Sequence, residues 1–313
     1  MNILGPDALV FGVDDVDGCT RYLLDYGLKG LDVGSDGGRF EALDGTAVVL
    51  RRRDDPTLPP VLGPGPAAFL RETVYGVADA AALDAIGAEL SRDRAVRLDA
   101  HGVLHSTDDS GFALAFQRSV RRPYSASAAL GNAPGAALQR PMNDVGADPH
   151  AEIAPRTLSH VVYLVPDAAR AEAFYVDRLG FRVTDRFQGV GPFLRPTGSS
   201  DHHCLFLIET PHKLLGLEHF TFHLGSAGDV MQAGSRFVAK GHRSFWGPGR
   251  HLFGSNWFWY FDSPLGCKVE YDADMDRHDD AWAPRETPID ADSSQLFLFE
   301  SRPKWAPGGP PPT

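Results

Sequence analysis

Two histidines and one glutamate in the C-terminal half of this 313-residue chain carry its clearest chemical signal: His160, His219 and Glu270. They lie in short β-rich runs, LSHVVYLV, LEHFTFHL and CKVEYDAD. A carboxylate in a run as apolar as the last is costly to bury unless something pairs with it. Two neutral imidazoles and one carboxylate on one face of a divalent cation leave the other face open to reactants. This is the ligand set of non-haem Fe(II) centres, and Mn(II) can also occupy it. His223 follows His219 by four residues, so on a strand the two point the same way about 13 Å apart, and only one reaches the ion. We favour His219 from the repeat described next, with His223 packing or bonding behind the site.

The elements that must position these residues recur along the chain. Residues 8–28 (ALVFGVDDVDGCTRYLLDYGL) parallel 160–181 (HVVYLVPDAARAEAFYVDRLGF): a β-rich run, an Asp, a helix with aromatic and Leu positions, then a Gly suited to ending it. Asp167 is the expected helix N-cap in the second copy. RETVYGVADAAALDAIGAEL (71–90) parallels EHFTFHLGSAGDVMQAGSRF (218–237). GVLHSTDDSGFALAFQ (102–117) parallels NWFWYFDSPLGCKVEYD (256–272), each reading as two strands joined by a polar turn. Each half thus contains two β-α-β-β-β units, predicting an α+β fold of four units whose sheets curl round a pocket. In this alignment Ala8, Glu72 and Ala115 stand where the second half has His160, His219 and Glu270, so the first half is a degenerate copy of the site. We divide the chain into an N-terminal domain (1–120), a Pro/Ala/Gly/Ser-rich linker or surface arm (121–157), a catalytic domain (158–290) and a C-terminal extension (291–313). Within the extension, LFLFE (296–300) could add a strand.

Bulk properties exclude several functions. A formal charge of -11 argues against a nucleic-acid partner, and the basic runs 51–53 and 118–122 read as solvated surface. No apolar stretch is long enough to span a bilayer, and no basic leader with a cleavage signature precedes the first strand. Three widely spaced cysteines, Cys19, Cys204 and Cys267, form no CxxC pair and suggest reduced thiols. A cytoplasmic enzyme of small molecules is the expectation.

The segments LSHVVYLVPDAARAEAFYVDRLGF (158–181), DHHCLFL (201–207), LEHFTFHL (217–224), GPGRH (247–251) and WFWYFDSPLGCKVEYDADMD (257–276) together resemble the vicinal oxygen chelate superfamily. Within it they are most similar to the two-domain type I extradiol dioxygenases, which cleave catechols. The resemblance implies tandem βαβββ modules of the glyoxalase/bleomycin-resistance/dioxygenase fold and metal ligands at His160, His219 and Glu270. It further implies an acid/base at His203, the second His of the His-His pair, with His251 and Tyr260 facing the substrate. On a strand, adjacent His202 and His203 would face opposite sides, so His202 is expected at the surface. Alternation likewise puts Phe258 and Tyr260 on one face of the aromatic run, with Trp246 and Phe253 as further apolar walls. The apolar residues after His251 depart from the family pattern. The implied reactants are an aromatic diol and O₂ at a mononuclear Fe(II), or Mn(II), centre. The diol oxygens chelate the metal, His203 moves protons, and the product is a ring-opened hydroxy-semialdehyde. A homo-oligomer is expected from the same resemblance. Two alternatives remain at this stage: a glyoxalase-like isomerase or thiol transferase on the same fold, and a non-enzymatic trap for hydrophobic ligands of the bleomycin-resistance type.

Overall fold

A computed structural model describes residues 1–126 and 130–301. The N-terminal strands are β1 (Ile3–Val13), β2 (Lys29–Gly34), β3 (Gly37–Glu41), β4 (Ala47–Arg52), β5 (Leu70–Val77), β6 (Arg97–Leu98), β7 (Leu104–Thr107) and β8 (Ala113–Arg118), with helices α1 (Val16–Tyr26) and α2 (Ala80–Leu90). The C-terminal strands are β9 (Thr157–Val165), β10 (Arg182–Gln188), β11 (Gly191–Arg195), β12 (Leu205–Glu209), β13 (Gly216–His223), β14 (Ser244–His251), β15 (Trp257–Asp262), β16 (Lys268–Ala273), β17 (Arg285–Pro288) and β18 (Gln295–Leu298). Their helices are α3 (Ala168–Ala173), which runs on into a wider turn to Arg178, α4 (Ala227–Ala239) and α5 (Ala291–Ser294).

The first sheet runs β2-β3-β4-β1-β5-β8-β7-β6, and the second repeats it as β10-β11-β12-β9-β13-β16-β15-β14. Each is two βαβββ units joined through their first strands, as the sequence repeat predicts. Two edge strands, β17 and β18, are added to the second sheet, so the tail segment read as a possible strand is one. Local chemistry explains the helix boundaries. Asp15 and Asp167 each accept a backbone N–H at the start of a helix, and Gly27 ends α1 at a left-handed φ of 107° that side chains other than Gly adopt poorly.

The helices pack between the sheets, in one apolar core drawn from both halves. Phe11, Tyr22, Tyr75 and Phe116 belong to the same buried cluster as Tyr163, Phe220, Phe237 and Tyr271. Polar links cross it. Tyr175 donates to Asp108 at 2.9 Å. Tyr26 stacks on Tyr271 at 4.1 Å, donates to the Glu270 carbonyl at 2.5 Å, and accepts at its own carbonyl from the Tyr271 hydroxyl at 2.8 Å. Helix α1 is thereby fastened to the strand that carries Glu270.

The segment 119–156 has no strand or helix among its described residues and is mostly exposed. The basic run beside it is not simply solvated. Arg121 ion-pairs with fully buried Asp7 and donates to the Pro6 carbonyl, because Asp7 needs a cation once its strand is covered. The three cysteines are free. No helix among the described residues is long and apolar enough to cross a membrane.

Candidate metal centre and its cavity

Four adjacent strands set the site in one row. His160 on β9 lies opposite Thr221 on β13, Thr221 opposite Glu270 on β16, and Glu270 opposite Tyr260 on β15. His219 lies two residues before Thr221 on the same strand, so the pleat brings its side chain to the same face. In the first sheet the equivalent row is Ala8, Val74, Ala115 and His105. Ala8, Val74 and Ala115 form a small apolar cluster there, and Glu72 accepts from His105 at 2.8 Å. The register thus pairs the two halves residue for residue as the sequence repeat does.

His160 Nε2 lies 3.2 Å from Glu270 Oε2 and 3.4 Å from His219 Nε2, and His219 Nε2 lies 3.6 Å from Glu270 Oε2. With ligand bonds of about 2.0–2.2 Å, such a triangle corresponds to angles of roughly 95–130° at a shared ion. All three side chains are buried. Outer partners orient them. Ser159 Oγ lies 2.9 Å from His160 Nδ1 and the Glu218 carboxylate bonds His219 Nδ1, which leaves both Nε2 atoms turned to the centre. Glu270 Oε1 is buried with no hydrogen-bond partner. A buried carboxylate with one oxygen unpartnered and the other, which accepts from Thr221 Oγ1, facing two imidazole nitrogens is a poor protein interior but a good cation site, so the residues present fit a divalent metal.

The charges agree with this fit. Burial alone would raise the Glu270 pKa, but His160, His251 and His219 hold it well below the usual carboxylate range. Burial lowers the His160 pKa, which favours the neutral, metal-binding imidazole. His219 is pushed up instead, since Glu218 and Glu270 outweigh its burial.

Two corners of the triangle, His160 and His219, line a cavity of about 460 Å³. His203, His251 and Tyr260 line it as well, together with Val162, Phe187, Phe193, Phe206, Trp246 and Phe253. Five of the six residues singled out from the sequence therefore line one space, and the sixth, Glu270, is fully buried beside His160 and His219. Trp246 and Phe253 are walls, and Phe253 accounts for the apolar stretch after His251. His203 sits against His160, ring centroids 4.3 Å apart. Its pKa is lowered well below the ordinary value, first by burial and then by the neighbouring histidines. His251 Nδ1 lies 3.0 Å from the Ser294 carbonyl, which can only accept, so Nδ1 carries the hydrogen. Its Nε2 lies 3.2 Å from the Tyr260 hydroxyl and 3.6 Å from Glu270 Oε1.

One expectation is corrected. His202 is completely buried, not exposed. It and His203 lie in a bend before β12 rather than on a strand, so alternation does not apply, and both turn inward. The sequence reading also missed Glu218, Thr221, Asn256 and Ser294. The first two were signalled by their places beside His219. Ser294 reaches the cavity from a tail that sequence alone set apart.

His223 lies behind the site. Its Nδ1 bonds Asp272 at 2.6 Å, and Asp201 stands 3.8 Å from Nε2. Burial pulls the pKa down, but the two carboxylates win and push it up to about 10. A histidine raised in the folded state stabilises fully below its unfolded pKa of about 6.5, and that stability is lost as pH rises through about 10. Denaturant titrations of His223→Gln should show a deficit of at least about 2 kcal/mol at pH 6.5 that shrinks toward pH 10, given the usual worth of hydrogen bonds to charged groups. A deficit that is constant with pH would refute the charged pair.

Comparison with known proteins accords with this geometry. Residues 157–271 match the Glyoxalase/Bleomycin resistance protein/Dioxygenase superfamily. The chain is 39% identical over 124 residues to metapyrocatechase 2 of Cupriavidus necator, covering 40% of this chain and 38% of that protein. It is 31% identical over 131 residues to biphenyl-2,3-diol 1,2-dioxygenase of Paraburkholderia xenovorans, covering 40% of this chain and 43% of that protein. The matches thus span well under half of either relative. The fold aligns with a Mn(II)-bound glyoxalase from Novosphingobium aromaticivorans (TM-score 0.73, 22% identity, 98% of this chain and 97% of that one). It aligns also with 2,2',3-trihydroxybiphenyl 1,2-dioxygenase from Sphingomonas wittichii (TM-score 0.71, 17% identity, 96% and 99%).

Proposed function

We propose that this protein is an extradiol dioxygenase, opening the ring of a catechol with O₂ at a mononuclear metal held by His160, His219 and Glu270. The observation that carries the reading is the open side of that ligand triangle, which faces a mostly apolar cavity containing His203, His251 and Tyr260. The preferred ion is Fe(II), the usual occupant of a two-histidine, one-carboxylate site in oxygenases, with Mn(II) as the alternative. When bound, the metal acidifies the diol hydroxyls and conducts electron density from ring to O₂.

The side chains supply the rest. His203, beside His160, is within reach of a diol held at the triangle and takes its hydroxyl proton, to return it later to the cleaving oxygen. The Tyr260 hydroxyl, hydrogen-bonded to His251 Nε2, stands at the cavity to fix a substrate hydroxyl. The phenylalanine walls exclude water. Because all three ligands come from one half, the site does not need the second module pair that a shared isomerase site would use. After anaerobic loading with Fe(II) or Mn(II), O₂ uptake against a catechol panel tests the reading, with labelled O₂ expected to place both atoms in the product. Bound metal without uptake on any catechol would overturn it.

The cavity also selects among catechols. A dry cavity of about 150 Å³ already holds a benzene ring, so about 460 Å³ leaves room for a substantial second group. Among the described residues no Lys or Arg lines the space, while the Glu218 carboxylate stands at it. A neutral apolar or aryl substituent suits it, and a carboxylated side chain does not. We expect kcat/KM to favour an aryl- or alkyl-catechol over a carboxylated one of similar size by about 100-fold, the discrimination that a few kcal/mol of unpaired charge produces. Equal rates would remove this substrate preference while leaving the ring-opening reading in place.

A further inference from the structure

Behind the proposed acid/base lies a chain of buried polar groups that the reaction described above does not use. His203 Nδ1 is 2.9 Å from His202 Nδ1, and His202 Nε2 is 2.7 Å from Asp185 Oδ2. Asp185 on β10 is fully buried, as is His202. Arg285 on β17 closes the chain, donating to Asp185 through its backbone N–H at 2.8 Å and its guanidinium at 3.0 and 2.5 Å. The His278 ring packs edge-on against His202 at 5.5 Å between centroids, and among the described residues no other titratable ring but His203 touches it.

Hydrogen-bond accounting fixes where the hydrogens lie. Asp185, facing a guanidinium, is an acceptor only, so His202 Nε2 must carry a hydrogen. Neutral His202 then has a bare Nδ1. The short Nδ1–Nδ1 contact holds one hydrogen, and it belongs to His203. The remaining nitrogen of His203, Nε2, is therefore bare and able to accept a proton.

We propose that His202 and Asp185 form a proton reservoir for His203: His202 sets the His203 tautomer and, during the reaction, takes the positive charge. This inference rests on the acid/base reading of His203. The step balances. A substrate O–H breaks as His203 Nε2–H forms, His203 Nδ1–H breaks as His202 Nδ1–H forms, and no electrons are transferred. His203 stays neutral, next to a ligand of a cation, while the His202 imidazolium is balanced by the Asp185 carboxylate. Reversing the transfers returns the proton. A single histidine would have to hold that charge against the metal; the pair moves it one ring farther away. His202 and Asp185 are positioning residues in this scheme, since neither lines the cavity.

Two measurements test it. In the full chain loaded with diamagnetic Zn(II) and labelled with ¹⁵N-histidine, long-range ¹⁵N–¹H correlation should show the His203 hydrogen on Nδ1. A hydrogen on Nε2 would overturn the proposal, whether or not any catechol is turned over, so its failure is separable from failure of the ring-opening reading. The second is His202→Gln, whose amide can donate to Asp185 and accept from His203 but cannot store a proton. It should keep the His203 tautomer, the metal content and KM within about twofold, while kcat falls about 10–100-fold, the lower part of what general acid–base groups contribute. Asp185→Asn should lower kcat in the same way, since the His202 cation loses its counter-charge. Unchanged kcat in folded His202→Gln would overturn the reservoir.

Discussion

Removing any one corner of the triangle should empty it. In His160→Ala, His219→Ala or Glu270→Ala, the metal that remains after desalting, measured by elemental analysis, should fall to background, and O₂ uptake with catechols should drop by at least about 1,000-fold. The size follows from the geometry. Losing an outer partner of a metal ligand typically costs 10–100-fold, and loss of a ligand itself costs more. Glu270→Ala has a second, opposite consequence. In the metal-free protein Glu270 Oε1 is a buried oxygen with no partner, and a group of that kind costs about 1–3 kcal/mol. The metal-free Glu270→Ala protein should therefore lose less stability than truncation of a buried side chain normally causes, and its Tm should no longer rise when metal is added. The unsubstituted chain should gain about 2.7 kcal/mol at a metal concentration 100 times Kd. Full metal occupancy in all three variants would show that the triangle is not the binding site.

His203→Asn should separate chemistry from binding. The side chain is not part of the triangle, so metal content and the affinity for a catechol should hold within a few-fold. Its ring is the nitrogen base nearest His160 on the cavity side, so kcat should fall by about 10²–10⁴-fold, the usual contribution of a positioned acid/base. A loss confined to KM would make His203 a binding wall and would shift the proton to His251 or Tyr260. Those two are coupled, since Tyr260 and His251 share a hydrogen bond and His251 donates to the Ser294 carbonyl.

The repeat is what made so much legible. Because each unit starts with a strand and ends with strands of matching period, alignment of the two halves put His160, His219 and Glu270 on corresponding strands, and the register bears this out at Ala8, Val74 and Ala115. Tyr260 was readable from the family resemblance, with period two placing it and Phe258 on one face of the aromatic run. What remained hidden depends on contacts between distant segments. His202 was misplaced because a bend was read as a strand. Asp185, 17 residues earlier on another strand, gave no local sign of its bond to it. Ser294 arrives through a tail whose course is set by pairing of β18 with β14, and nothing near Ser294 in the sequence encodes that pairing. Arg121 looked like surface because its partner, Asp7, is over 100 residues away.

The Tyr26–Tyr271 interlock bears on why the first half persists although it has no ligand triangle of its own. The phenol that grips the Glu270 carbonyl comes from that half, and the rings of both halves fill a single interior. The first half is thus a buttress for the strand that carries Glu270, and trimming it away would strip that strand of its backing.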